Sequence, residues 1–212
     1  MLPGPTIVRK CKNCEGFLIE ETLASGNTFG ARFWTDGKRE APMLPDYPWL
    51  AQCPHCKAVF WLDEQDQVAE IEPWDSEDVA KKFPTARPAK WPSLKDYFSA
   101  LQNKPLNEEK ERYLRMYAWH AGNQPRRGKE AVKPLARREV DNLRALAMMF
   151  DENNDEDRFF KAEVMRELGE FVEAKRLLAK PFGEHFDKAV KAITDLVEQG
   201  IWVVKEIPVE LE

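Results

Sequence analysis

The sequence predicts an α+β protein, with a small antiparallel β region in its first third and an α-helical bundle in its second half. Three observations carry this expectation. Two identical Cys-x-x-Cys spacings fall within the first 56 residues, each followed by a short run of β-branched and aromatic residues. A proline-rich stretch spans residues 73–105. Beyond it the apolar residues recur at i, i+3, i+4 and i+7, the period of a helix packed on one face. The expected organisation is a β region over 1–72, a packed connector over 73–105 and a helical domain over 106–212.

With 212 residues, 43% of them apolar and 33% charged, the chain has the composition of a globular protein, neither disordered nor membrane-embedded. No apolar run approaches the ~18 residues of a spanning helix. The start, Met1 to Pro5, has neither a basic nor an apolar leader segment. A cytoplasmic location is the expectation.

Every cysteine belongs to one of the two pairs, Cys11 with Cys14 and Cys53 with Cys56. Two residues between thiolates let a tight turn present both sulfurs to one ion, and two such turns complete a tetrahedron. Disulfides fit poorly with a reducing compartment, and a thioredoxin-like pair explains one motif but leaves the other unused. The expected cofactor is one structural Zn²⁺ held by Cys11, Cys14, Cys53 and Cys56. A site closed by four sulfurs has no open position for substrate, so the metal props up the fold without turning anything over.

The 38 residues between Cys14 and Cys53 exceed the usual spacing, so they must fold. Strands are expected at Phe17 to Leu23, at Thr28 to Thr35 and at Ala58 to Leu62, with Asp36-Gly37 as a hairpin turn. The reading is a zinc ribbon with an enlarged middle. Its core is expected to draw on Phe29, Phe33, Trp34, Trp49, Phe60 and Trp61, while Pro42, Pro45 and Pro48 keep their segment extended. His55, inside the second motif, reads as an exposed loop histidine and not a fifth ligand.

Residues 1–7, 25–38 and 41–45, together with the paired motifs, resemble an uncharacterised family of small bacterial zinc-ribbon proteins. The resemblance implies a bacterial zinc ribbon and no activity. Residues 25–38 serve either as a binding surface or as the ribbon's own packing, the second being preferred.

In the connector, Trp74 and Trp91 are expected to pin the chain onto a domain, with a docking strip as the alternative, and a short helix is expected at Ser93 to Leu101. The helical half begins with Asn107 as N-cap of a helix to about Ala121, stopped by Gly122. A second apolar stripe comprises Leu143, Leu146, Ala147 and Phe150. Asp155 is expected to cap a third helix carrying Phe159, Ala162, Val164, Met165 and Leu168, followed by a helix over Glu170 to Ala179. Phe186, Ala189, Val190, Ile193, Leu196 and Val197 line a last helix that Gly200 ends. Residues 168–178, with Gly169 at the turn, Phe171 as the aromatic and Ala174 at the close contact, resemble one helical hairpin of a tetratricopeptide repeat. One unit does not make an array.

The formal net charge is −5, and residues 1–75 hold 7 basic against 12 acidic residues, an unfavourable balance for gripping phosphates. The one basic concentration runs over 126–138, through Arg126, Arg127, Lys129, Lys133, Arg137 and Arg138, with Glu130 opposing it. It is expected to be a solvated face neutralised by the acidic loop 151–157. The three histidines, His55, His120 and His185, stand near no recognisable nucleophile or metal-hydrolase pattern, and no phosphate loop is present. No catalytic residue is assigned. His120, the first candidate, reads as a partly buried helix residue. The functional expectation is a non-enzymatic zinc protein that acts by binding another protein, with an immunity-type inhibitor of a toxin as one form. The competing expectation is a nucleic-acid-binding ribbon using 126–138.

Overall fold

The computed structural model describes residues 1–103, 106–129 and 132–208 and shows a mixed α+β architecture of several small sheets and seven α-helices among them. In chain order the first strands are β1 (Leu2–Pro3), β2 (Thr6–Lys10), β3 (Phe17–Glu20), β4 (Leu23–Ser25), β5 (Arg32–Trp34) and β6 (Arg39–Glu40). Then follow β7 (Leu50–Gln52), β8 (Val59–Trp61), β9 (Asp66–Ile71), α1 (Ser76–Lys82), β10 (Arg87–Pro88) and α2 (Leu94–Ala100). The remainder is helical: α3 (Glu108–Asn123), α4 (Arg137–Ala147), α5 (Asp155–Glu167), α6 (Phe171–Leu178) and α7 (Asp187–Glu198), closed by β11 (Glu206–Ile207).

The chain divides into two compact units. The first comprises Met1–Ala31 with Ala41–Asp96, and the second Arg32–Glu40 with Tyr97–Glu212. In the first, a four-stranded sheet runs in the order β10-β3-β2-β9. Its centre is the β2–β3 hairpin, whose register pairs Val8 with Ile19 and Arg9 with Leu18. Alternation along these strands buries Val8 and Leu18 completely. The strand β10 joins β3 in parallel, and β7 with β8 forms a separate antiparallel hairpin. One apolar cluster of this unit joins Cys11, Leu18, Ala51, Cys53 and Leu62, with Cys56, Phe60 and Ala89 against them, and Leu50 and Ile71 are buried as well.

In the second unit, β5 and β6 turn through Asp36 and Gly37, and β11 pairs with β5 to make a three-stranded sheet. Gly37 takes φ +79°, the left-handed value that favours glycine, and a Cβ there would strike the Phe160 ring. The expected hairpin turn is present, but the hairpin packs with the helical unit and not with the cysteines. The reason is long-range pairing: Thr35 donates its amide to the Lys205 carbonyl at 2.9 Å, and Arg32 bonds Glu206 at 2.6 Å.

Asn107 caps α3 by accepting the Lys110 amide at 2.8 Å. The helix runs past Gly122 to Asn123, because Gly122 is a site of close approach to Glu139. Asn154, not Asp155, caps α5, taking the Asp157 amide at 3.1 Å, while Asp155 instead accepts from Gly183 at 2.9 Å. Two apolar clusters hold the helices together. One contains Trp119, Leu143, Leu146, Ala147, Phe150 and Val164. The other contains Phe159, Ala162, Ala174, Leu177, Leu178, Ile193 and Val197. Phe160 and Met165 pack against both. Each fully buried Leu or Ile contributes about 1.5–3 kcal/mol. The helix α5 ends at Gly169 and α7 at Gly200, with φ of +79° and +66°.

Several expected core residues are not core. Phe29 is 77% exposed and Trp49 53% exposed, whereas Trp34 is buried in the second unit. The strand expected from Thr28 shrinks to Arg32–Trp34, because a turn at Thr28 to Ala31 precedes it. Trp74, expected to pin the connector, is 78% exposed. The short helix near Ser93 is present as α2, although Pro105, at the connector's end, lies outside the described residues.

Candidate metal centre

The two cysteine turns have the same backbone. Glu15 and Lys57, each just after the second cysteine of its pair, are the two described non-glycine residues with positive φ, at 60° and 64°. In the first turn the Glu15 amide reaches the Cys11 carbonyl at 2.7 Å and the Cys11 amide the Gly16 carbonyl at 3.0 Å. In the second, Lys57 bonds Cys53 at 3.1 Å and Cys53 bonds Ala58 at 2.8 Å. One turn closes the β2–β3 hairpin and the other the β7–β8 hairpin. Two unrelated stretches of chain therefore present sulfur pairs in the same way.

These pairs meet. The Sγ atoms of Cys11 and Cys56 lie 3.9 Å apart, those of Cys14 and Cys53 3.8 Å apart, and all four lie within 4.8 Å of one another. A tetrahedron with metal–sulfur bonds of about 2.3 Å has edges of about 3.8 Å. The four cysteines thus form a site with the dimensions of a tetrathiolate metal centre. Cys11 and Cys53 are buried, Cys56 is half-buried and Cys14 is exposed, so one side of the site faces solvent.

Burial pushes the Cys11 thiol up to about 12, while the Asn13 side-chain amide, donating to Cys56 Sγ at 3.3 Å, leads the contacts that lower the Cys56 thiol to about 6. The two directions are opposed; a divalent cation bound by the four sulfurs would deprotonate buried and exposed thiols alike. A second layer holds the turns in place. Gln65 accepts the Lys12 amide at 3.0 Å and donates to the Trp61 carbonyl at 3.4 Å, tying the first turn to the end of β8. His55 does not point outward as expected. Its Nε2 lies 2.8 Å from the Phe17 carbonyl oxygen, and its ring packs over Gly16, so it links the second turn to the start of β3.

The second unit holds a group of buried charges that sequence reasoning missed. Asp36, fully buried, accepts from Arg127 Nη1 at 3.0 Å and Nη2 at 2.6 Å, and from Asn123 Nδ2 at 3.0 Å. Asn123 also donates to Glu167 at 2.9 Å, and Trp119 Nε1 donates to the same carboxyl at 2.9 Å. Arg166 and Glu163, both fully buried, form a two-pronged pair at 2.5 and 2.7 Å, and Arg166 also reaches the Thr35 hydroxyl and the carbonyls of Ile201 and Val203. Burial, with the charges of Glu163 and Asp36, raises Glu167 well above the usual carboxylate range. Burial opposes ionisation of Asp36 too, but His120, Arg127 and Asn123 overcome it and keep this carboxyl below its usual range. His120, lowered by burial, lies with Nε2 3.0 Å from the Asp36 carbonyl oxygen.

A signal for part of this existed. Glu163 falls four residues after Phe159 and three after Phe160, Arg166 seven after Phe159 and Glu167 seven after Phe160, on the stripe those rings bury. Asp36 carried no such signal, since an Asp-Gly pair reads as a turn whatever it contacts.

The basic stretch is not a solvated face throughout. Arg126 and Arg127 are buried, the first paired with Glu139 at 2.7 Å and the second with Asp36. The acidic loop 151–157 serves other cations: Asp157 pairs with Arg112, Glu152 with Lys161 and Arg176, and Asp155 with Arg158. Glu130 lies outside the described residues. No helix among the described residues is long and apolar enough to cross a membrane. No family model matches the chain, and no curated protein or solved structure is significantly similar to it.

Proposed function

We propose that the protein is a non-enzymatic zinc protein whose metal organises a surface that binds another protein. The observation that carries the reading is the sulfur tetrahedron, with separations of 3.8 and 3.9 Å and all four corners supplied by the chain. Cys11, Cys14, Cys53 and Cys56 would hold the ion, which supplies cross-linking and, with no vacant position, no Lewis-acid chemistry. Four sulfurs suit Zn²⁺ above the harder divalent ions. In this reading the two cysteine hairpins are the knuckles of a zinc ribbon, the bacterial ribbon resemblance keeps its value, and α5 with α6 is a tetratricopeptide-like hairpin.

Catalysis has little support. The buried charges near Asp36 are consumed by one another, and the cavity beside them, lined by Trp119, Asn123, Glu139 and Asn142, measures about 10 Å³. That volume holds about one water. The nucleic-acid reading loses Arg126 and Arg127, which are committed to Glu139 and Asp36.

The test is affinity capture of the zinc-loaded chain from its native host, paired with DNA and RNA titrations at two salt concentrations. A stoichiometric protein partner and weak nucleic-acid binding are expected. A toxin as that partner would single out the immunity-type form. Tight nucleic-acid binding with a steep salt dependence, and no protein partner, would overturn the proposal.

A further inference from the structure

The first unit carries a groove of about 210 Å³ beside the four-stranded sheet. Its walls combine Ile19, Leu62 and three prolines with the rings of Tyr47 and Trp91, and with the carboxylates Glu20, Glu21 and Asp46. None of its lining residues is basic. The volume lies below the ~300–1,000 Å³ of pockets that take metabolites or cofactors, which points to a single side chain as occupant.

The charges narrow the choice further. Glu20 is satisfied by Arg9 at 2.6 Å, but Glu21 is exposed and forms no ion pair among the described residues. Glu21 is close enough to Tyr47 for its charge to add to the effect of burial in raising the phenol. Trp91 is 46% exposed at the groove. The whole unit has 9 basic and 13 acidic residues, and four thiolates with one divalent ion would make it more negative still. Aromatic faces beside a carboxylate suit a planar, weakly hydrated cation, and apolar walls suit the methylene stem that carries it.

The geometry points to this groove as the seat of an arginine side chain presented by a basic segment of a partner protein, its guanidinium against Tyr47 and Trp91 and paired with Glu21. The inference deepens the protein-binding proposal and rests on it for the partner's existence. The groove itself is tested on the purified, metal-loaded chain.

The probe is a labelled, end-capped peptide Gly-Val-Arg-Val-Gly, compared with the same peptide carrying citrulline, which keeps the shape of arginine without its charge. Anisotropy and the indole NMR signal of Trp91 are followed. Saturable binding that shifts the Trp91 signal is expected, with at least tenfold weaker binding for citrulline. Glu21→Lys, on the exposed rim and away from the sulfurs, is expected to weaken the arginine peptide at least tenfold while metal content and circular dichroism stay unchanged. Equal binding of the two peptides, no shift of Trp91, or an unaffected Glu21→Lys variant would overturn the inference. A captured partner retained equally by Glu21→Lys would also overturn the groove while leaving the protein-binding proposal standing. A chain that captures no partner fails that proposal, and the peptide titration still decides the groove.

Discussion

The two units solve the same stability problem with different means. The first has one apolar cluster of five buried residues, two of which are cysteines, with Val8, Leu50 and Ile71 also buried, and sheets built from strands of two to six residues. Such a core lacks the apolar area that an independent fold of this size draws on. The second has two apolar clusters, five helices of 8 to 16 residues, and buried ion pairs, Arg127 with Asp36 and Arg166 with Glu163. One unit brings four cysteines together at a candidate metal site, which an ion would cross-link, and the other is held by packing with polar links between its elements. The lesson is that each should fail under a different insult.

Metal removal is the largest of these. Stripping the ion, or Cys53→Ser, is expected to unfold the first unit, since structural Zn²⁺ binding is worth about 10–16 kcal/mol. The helical circular dichroism from α3 to α7 should persist, because no cysteine lies in that unit. Loss of both signals together would erase the contrast drawn above.

Next comes Arg166→Met, which leaves Glu163 buried without its partner. It should cost about 3–5 kcal/mol in chemical denaturation followed by helical signal, with metal content unchanged. Gly37→Ala ranks below it: positive φ and the Phe160 ring together should cost about 1–3 kcal/mol, measured in the same way. A neutral effect there would mean that the hairpin is held less firmly than its burial indicates.

The clustering of the four sulfurs was legible in the sequence because spacing alone constrains where a CxxC turn points its thiolates. The helices were legible for a similar reason: the stripes of Leu143 to Phe150 and Ile193 to Val197 repeat at the period that burial imposes. What escaped was long-range assignment. Residues 32–40 sit between the cysteine pairs in sequence, yet they fold with α3, α5 and β11 through Asp36, Thr35 and Arg32. Nothing local in Trp34-Thr35-Asp36-Gly37 distinguishes a ribbon strand from a guest hairpin. Arg126 and Arg127 were misread likewise, since a run of basic residues looks solvated until its carboxylates are found, Glu139 on the next helix and Asp36 far back along the chain.

The smallest expected effects concern protonation and the outer layer of the metal site. Glu167 binds its proton more tightly when folded than when unfolded, so stability should fall as pH rises from the ordinary carboxylate range through the raised folded value. Glu167→Gln should flatten that decline while leaving stability at acidic pH little changed. Asn13→Ala removes the donor to Cys56 and should weaken metal retention about 10–100-fold against a chelator.

The most direct test of the central claim is X-ray absorption on the protein purified without chelator, combined with elemental analysis. One zinc per chain with four sulfur neighbours at about 2.3 Å is the predicted result. A folded first unit without metal, or a nitrogen, oxygen or water ligand in place of one sulfur, would contradict it.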